Sequence, residues 1–433
     1  IMEESTLNRS GVSEYHEHVP TKTKVAFGTI GAGVTMLSGI GLGAAITFFY
    51  NIKLGLSEEL TALAWLIFGI WNAINDPLFG ILEEKTKTKI GRRIPYIRYG
   101  APVFALTFIF CWYPIFKSSE MGLFWNLLLV LFLFDSTFTM IGLITYKLPA
   151  EMCITQEVRA SFSLYNVYFG AVGMLVSMVL PMILLTSDEN TTDLNPMFKP
   201  AMIIVALIAC GIMIWGSFYI TENKYAMHEP TLGFFQSIKA TFKNKPFLIF
   251  EANNFFYQIG WTIVIGMLTY YVQFVLGLSG FMAMVPLLVI FLTVFIFIIP
   301  ANKLVTKYNL KALYLAGLLV AAGGFALLFF AGTSLLLSFI CLGLIGIGFS
   351  PVTLTESPLM QDIIDYDEIL TGKRRETTYA GVNALLTKPS ISIANALFLM
   401  IIKAYDFDNQ LTTQSPTAQN GILLAFCFIP LIS

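Results

Sequence analysis

Twelve apolar stretches, each close to the roughly 20 residues that carry a helix across a bilayer, fill most of the chain: 25–50, 59–82, 96–116, 121–148, 161–185, 200–220, 246–274, 280–299, 311–331, 335–355, 379–403 and 417–433. Inside lipid every backbone N–H and C=O must find a partner within its own segment, and runs of this length meet that demand as helices. The expected class is therefore an all-α membrane protein with twelve transmembrane helices. Composition agrees, since 12% of the 433 residues are charged against about a quarter in soluble domains.

Short cytoplasmic loops collect Lys and Arg, so charge fixes the expected orientation. With the N-terminus inside, 21 basic residues fall in inner segments and 4 (Lys53, Lys117, Lys199, Lys403) in outer ones, with Lys388 left within a helix. The basic residues thus follow topology rather than a binding face. With a net charge of −1, no nucleic-acid partner is expected. The first residues are polar and lack the apolar core of a signal peptide, so the first helix does the targeting, to the cell (plasma) membrane.

The longest inner connection, 221–245, divides the helices six and six. The expected organisation is a cytoplasmic tail over 1–24, one six-helix bundle over 25–220, the central cytoplasmic loop, and a second bundle over 246–433. The chain starts without Met and its last helix is cut short, as in a fragment of a slightly longer protein. His16 and His18, beside Glu14 and Glu17, read as a disordered, solvated tail. Cys111, Cys153, Cys210, Cys341 and Cys427 are scattered singly, which suits neither a metal site nor a disulfide framework.

One aspartate breaks the second apolar stretch. In 71–98, WNAINDPLFGILEEKTKTKIGRRIPYIR, Asp76 follows an apolar run and precedes a basic loop. A carboxylate at that depth is costly enough to mark an ion or proton pathway. Helical spacing places Asn72, Asn75 and Asp76 on one face, at i, i+3 and i+4. Lys388 is the one basic residue well inside a helix, and an ammonium there needs a partner.

At Asn75, Asp76, Pro77, Gly80, Glu84, Thr86, Lys87, Lys89, Gly91, Arg92, Arg93 and Pro95 the sequence resembles the glycoside/pentoside/hexuronide:cation symporter family, the melibiose-permease-like branch of the major facilitator superfamily. Ala150, Glu151, Arg159 and the stretch 361–388 extend the resemblance over almost the whole chain. It implies two six-helix bundles around a midplane site and a secondary transporter, not an enzyme. Such a carrier would be a monomer in the lipid bilayer, symporting a small solute, a sugar or glycoside first, by alternating access. No cofactor is implied; sodium or a proton is the coupling ion.

The family's cation site uses two helix-two carboxylates and a helix-four threonine. Asp76, Asn75 and Thr139 match, whereas Asn72 stands where the family has its first carboxylate. Asp135, one turn before Thr139, either supplies the missing carboxylate or accepts structural hydrogen bonds from Ser136, Thr137 or a neighbouring helix. Lys388 matches the helix-eleven lysine that pairs with the site when the cation is absent. The family's sugar-gripping acid and arginine are Gly142 and Val167 here.

Other polar residues must then hold a polyol, because buried hydroxyls without partners cost about 1 to 3 kcal/mol each. Tyr165, Asn166, Asn253, Asn254, Tyr257, Gln258, Trp261, Thr353, Glu356, Asn383 and Thr387 are the candidates. Tyr257 and Trp261, at i and i+4, read either as a platform for a sugar ring or as packing. The clusters Glu83, Glu84, Arg92, Arg93 and Asp362, Asp365, Asp367, Arg374, Arg375 read as gating salt bridges between the halves or as solvated loops. A lysolipid or other amphiphile is the competing cargo, and a non-transporting sensor on the same fold the competing class.

Overall fold

All twelve apolar stretches are helical in a computed structural model of the protein, which describes residues 3–7, 13–17, 19–86, 88, 90–91, 93–152, 156–186, 194–221, 241–305, 307–371, 376–411 and 413–433. The first span is α1 (Thr21–Gly41), α2 (Ala44–Phe48) and a π-helical turn, Phe49–Lys53. Then come α3 (Glu58–Lys85), α4 (Ile94–Trp112), α5 (Glu120–Met152), α6 (Gln156–Leu185) and α7 (Phe198–Ser217). The second half holds α8 (Lys245–Tyr270) with a π-helical turn (Tyr271–Val275), α9 (Gly280–Ala283), α10 (Val285–Val305), α11 (Leu310–Ala331), α12 (Leu335–Thr371), α13 (Glu376–Thr387), α14 (Pro389–Ala404) and α15 (Pro416–Ile432). Among the described residues, ten helical stretches are long and apolar enough to cross a membrane; α3 and the 17-residue α15 complete the twelve.

The structure departs from the sequence reading in three places. The N-terminal tail, expected to be disordered, forms a hairpin in which β1 (Glu3–Leu7) pairs antiparallel with β2 (Ser13–Glu17); paired backbone is invisible to hydropathy. Helix α12 runs to Thr371, well past the expected end at 355, because helical propensity continues where apolarity stops. The eleventh span is broken into α13 and α14 at Lys388. Pro389 lacks an N–H and fills the first position of α14, a place where the missing donor costs little.

The first six spans pack with α1 against α6 and α7, and with α4 against α5 and α7. In the second six, α12 lies along α10 and α11, and α15 along α11, α14 and α8. Lipid gives no hydrophobic drive for helices to associate, so close packing over small residues does it. Gly348 on α12 shows this: an added Cβ would stand 2.4 Å from the Ala321 backbone nitrogen and 2.8 Å from its Cα. Gly348→Ala is expected to force α11 and α12 apart and to cost about 1 to 3 kcal/mol, read as a lowered melting temperature in detergent. Gly211→Ala is the control, since nothing lies within 4 Å of its added Cβ, and that helix should be unchanged or firmer.

Contacts between the halves include two polar or closely packed zones among the described residues. In one, α14 lies along α3, close enough that a Cβ on Gly69 would meet Ser392 Cβ at 2.9 Å. The other, at the ends expected to be outer, is a polar latch. Tyr270 Oη donates to Asn51 Oδ1 at 2.9 Å, and Asn409 Nδ2 donates to the carbonyls of Asn51 and Leu56, both at 3.1 Å. Thr47 Oγ1 donates to Asn395 Oδ1 at 2.9 Å while accepting from Trp65 Nε1 at 2.9 Å. Lys403 reaches Glu58 at 3.7 Å and Glu59 at 3.6 Å.

Candidate functional site: an ion pair between the halves

Helix α3 carries Asp76 to the face that meets α14, and Lys388, at the junction of α13 and α14, reaches it there. Lys388 Nζ lies 2.5 Å from Asp76 Oδ1. Their side chains are 14% (Asp76) and 21% (Lys388) exposed, so the pair is lodged between the halves without being sealed. It joins a carboxylate of the first half to an ammonium of the second, well below the outer pairs of Lys403 with Glu58 and Glu59.

Around the pair, α3 and α5 build a polar shell. Thr139 Oγ1 donates to Asp76 Oδ1 at 3.1 Å and accepts from Asn75 Nδ2 at 3.0 Å. Asn75 Nδ2 also donates to Asp135 Oδ2. Trp71, one turn before Asn75, fixes the helices' relative height: its Nε1 donates to Ser136 Oγ at 3.2 Å and its ring stacks on Phe132 at 5.5 Å. Asp135 is fully buried and within electrostatic reach of both Lys388 and Asp76. The structure thus brings Asp135 into the shell, linked to Asp76 through Asn75 and Thr139. Asn75 of the neighbouring helix α3, rather than Ser136 or Thr137, is its hydrogen-bond donor.

What the shell leaves unsatisfied is informative. Asn72 Oδ1, Asn75 Oδ1 and Asp135 Oδ1 are buried and accept no hydrogen bond, and all three are acceptors. Oxygen acceptors without donors are what a hard cation requires, and a proton on Asp135 would use one of them as well.

The proposed substrate residues fall into separate groups. Asn254 and Asn383 meet across α8 and α13, with Asn254 Nδ2 donating to Asn383 Oδ1 at 3.3 Å, and Thr387 Oγ1 donates to the same oxygen at 3.3 Å. They lead directly to Lys388. Tyr257 and Trp261 stack at 6.4 Å, and Phe349 meets both edge-on, at 5.9 and 5.1 Å. Tyr257 is 8% exposed, so this pair sits as packing inside an aromatic cluster. Thr353 Oγ1 donates to the Phe349 carbonyl at 3.0 Å; Glu356 and Gln258 are half-buried. Asn253 Nδ2 donates to Tyr314 Oη at 2.6 Å, which points it away from the ion pair's shell. On α6, Tyr165 and Asn166 are half-buried, with Asn166 pressed over Gly31 of α1 and its Oδ1 unpartnered.

Sequence comparison decides the family. The model of the family described as MFS/sugar transport protein matches residues 26–433. The chain belongs to that family. It is accordingly a membrane transporter and not an enzyme. Its relatives include the isoprimeverose transporter of Lactiplantibacillus pentosus, 24% identical over 89% of this chain and 81% of that one. A putative glycoside/cation symporter of Escherichia coli, YagG, is 20% identical over 89% and 84%. Among solved structures, the nucleoside transporter NupG superposes with a TM-score of 0.67 at 13% identity, over 95% of this chain and 96% of that one. A D-xylose-proton symporter gives 0.66 at 15% identity, over 94% and 96%. At these identities the superpositions establish the shared fold.

In this transporter the expected gating clusters are only partly described. Glu83 and Arg93 are buried, at 1% and 6% exposure, which removes the solvated-loop reading for those two. Asp362 and Asp365 are exposed on the polar end of α12, and Asp367 is buried. Arg92, Arg374 and Arg375 lie outside the described residues, as do the side chain of Glu84 and most of the central loop.

Two features escaped the sequence reading. The outer latch is built from Asn51, Tyr270, Asn395 and Asn409, single polar residues near span ends that look like ordinary loop chemistry until the halves meet. Glu251, on α8, is 3% exposed with both carboxyl oxygens unpartnered. Its signal was in plain view, an acid six residues into an apolar stretch.

Proposed function

We propose that the chain is a secondary symporter that moves a sugar or glycoside with sodium or a proton by alternating access. The ion pair between Asp76 and Lys388, set against buried oxygens that lack donors, carries this reading. Lys388 neutralises Asp76 when no ion is present; an arriving cation displaces it, and the displaced ammonium loosens the contact between α3 and α14. In this reading the bundles 25–220 and 246–433 rock about that contact and the outer latch. A single chain holds both halves of the pathway and works as a monomer in the plasma membrane with its N-terminus in the cytoplasm. The sugar is held by Asn254, Asn383 and Thr387, which adjoin Lys388, with Tyr165 and Asn166 from the first bundle. The names of the symporter relatives support the substrate class.

Thermal stabilisation of the purified protein tests this directly, because a ligand bound only by the folded state raises the melting temperature. A panel of pentosides, hexosides and lysolipids, each with and without sodium and at acid and alkaline pH, should show a glycoside whose stabilisation grows with one of the two cations. Stabilisation by lysolipid alone would overturn the substrate class. A glycoside whose effect ignores both cations would overturn coupling.

A further inference from the structure

Glu251 has no part in the site at Asp76, and its surroundings are unlike those of any other acid described in the second half. It lies on α8 one turn beyond Phe247, which with Met360, Ile364, Tyr379 and Val382 forms an apolar plug. It is 3% exposed, and neither carboxyl oxygen has a hydrogen-bond partner. Asn254, one turn on along the same face, is 2% exposed with its Oδ1 unpartnered as well.

Among the described residues, the charged and titratable groups facing Glu251 supply no counterion. Helix α12 brings Glu356, a second carboxyl close enough to interact with it electrostatically. On α8 itself and on α11, Tyr257 and Tyr314 face Glu356. Helix α13 brings Tyr379, which accepts from Asn244 Nδ2 at 2.9 Å, and α14 is preceded by Lys388, whose ammonium is committed to Asp76. Neither α2 nor α15, which also pack on α8, carries an acid, a lysine, an arginine or a histidine. A bare carboxylate beside another, with no donor and no cation among the described residues, is too costly to stand in such a place.

We propose that Glu251 is a proton-binding site of the second half, distinct from the Asp76 centre, that loads and unloads as carboxylic acid against carboxylate plus one free proton. A proton on Glu251 removes the repulsion between it and the neighbouring Glu356. The site lies one helical turn from a polar track that adjoins the ion pair. From Asn254 the hydrogen bonds run to Asn383 and on to Thr387, each at 3.3 Å, and Thr387 precedes Lys388. A proton held at Glu251 therefore sits one helical turn from a polar track whose far end precedes the residue that answers Asp76.

Infrared spectroscopy of the purified protein labelled with carboxyl-13C glutamate reads this proton without any substrate. The label separates neutral glutamic acid from neutral aspartic acid. A glutamic-acid carbonyl band that shifts on exchange into deuterium oxide is expected in the unmodified protein, lost in Glu251→Gln, and kept in Glu356→Gln and Asp135→Asn. Absence of the band from the labelled unmodified protein would overturn the proposal even if Glu251→Gln failed to fold. Persistence of the band in folded Glu251→Gln would overturn it too, as would its disappearance on adding sodium at constant pH, which would make the site one for a metal ion. Because neither sugar nor gradient enters the measurement, its failure leaves the symport reading standing, and failure of the stabilisation panel leaves this site standing.

Discussion

Lys388→Ala is expected to give a folded transporter that no longer accumulates its solute against a gradient. Removing one member of a buried ion pair costs on the order of 3 to 5 kcal/mol, and the partial exposure of this pair, 21% and 14%, places the cost at the lower end. Thr139 still donates to Asp76 at 3.1 Å, so the carboxylate keeps one partner and the helices keep their register. What is lost is the charge that Asp76 must exchange for the ion. Uptake of the stabilising glycoside into proteoliposomes under an imposed sodium or proton gradient should fall to background, while exchange across membranes without a gradient survives in part. Full accumulation by Lys388→Ala would remove the lysine from coupling.

Asp135→Asn should separate the two roles open to this residue. Asparagine keeps an oxygen in the place that accepts from Asn75, so a purely structural acceptor would tolerate the change with the melting temperature nearly intact. If Asp135 supplies the second carboxylate in place of Asn72, the same substitution removes a full charge from a dry site. A loss of at least about tenfold in cation affinity is then expected, each tenfold step being about 1.4 kcal/mol. The measurement is the sodium or proton concentration that gives half-maximal uptake; an unchanged value would leave Asp135 as scaffold.

Much of this architecture was legible before any coordinates. The twelve spans follow from apolar length alone, because lipid leaves the backbone no alternative to the helix. Asp76 and Lys388 were legible for the same reason: charges in oil must meet something, and they meet each other. That Asp135 lies one turn from Thr139 on the same face of α5 was legible from helical spacing alone.

The rest depended on the meeting of distant segments. The outer latch joins Asn51 to Tyr270 and Asn409, and hydropathy carries no record of such pairings. Tyr257 and Trp261 had the spacing of a platform, but Phe349 arrives from α12 and turns the pair into packing. The junction at Lys388 was written as Pro389, yet only the fold shows that the junction lies beside Asp76 of α3.

The most direct test of the exchange between Lys388 and the coupling ion is the cation affinity of Lys388→Ala, measured as thermal stabilisation by sodium and by protons in the purified protein. Lysine is an internal competitor for Asp76, so its removal should tighten binding of the coupling cation by about tenfold or more even as accumulation is lost. Binding that is unchanged or weaker in Lys388→Ala would contradict the account.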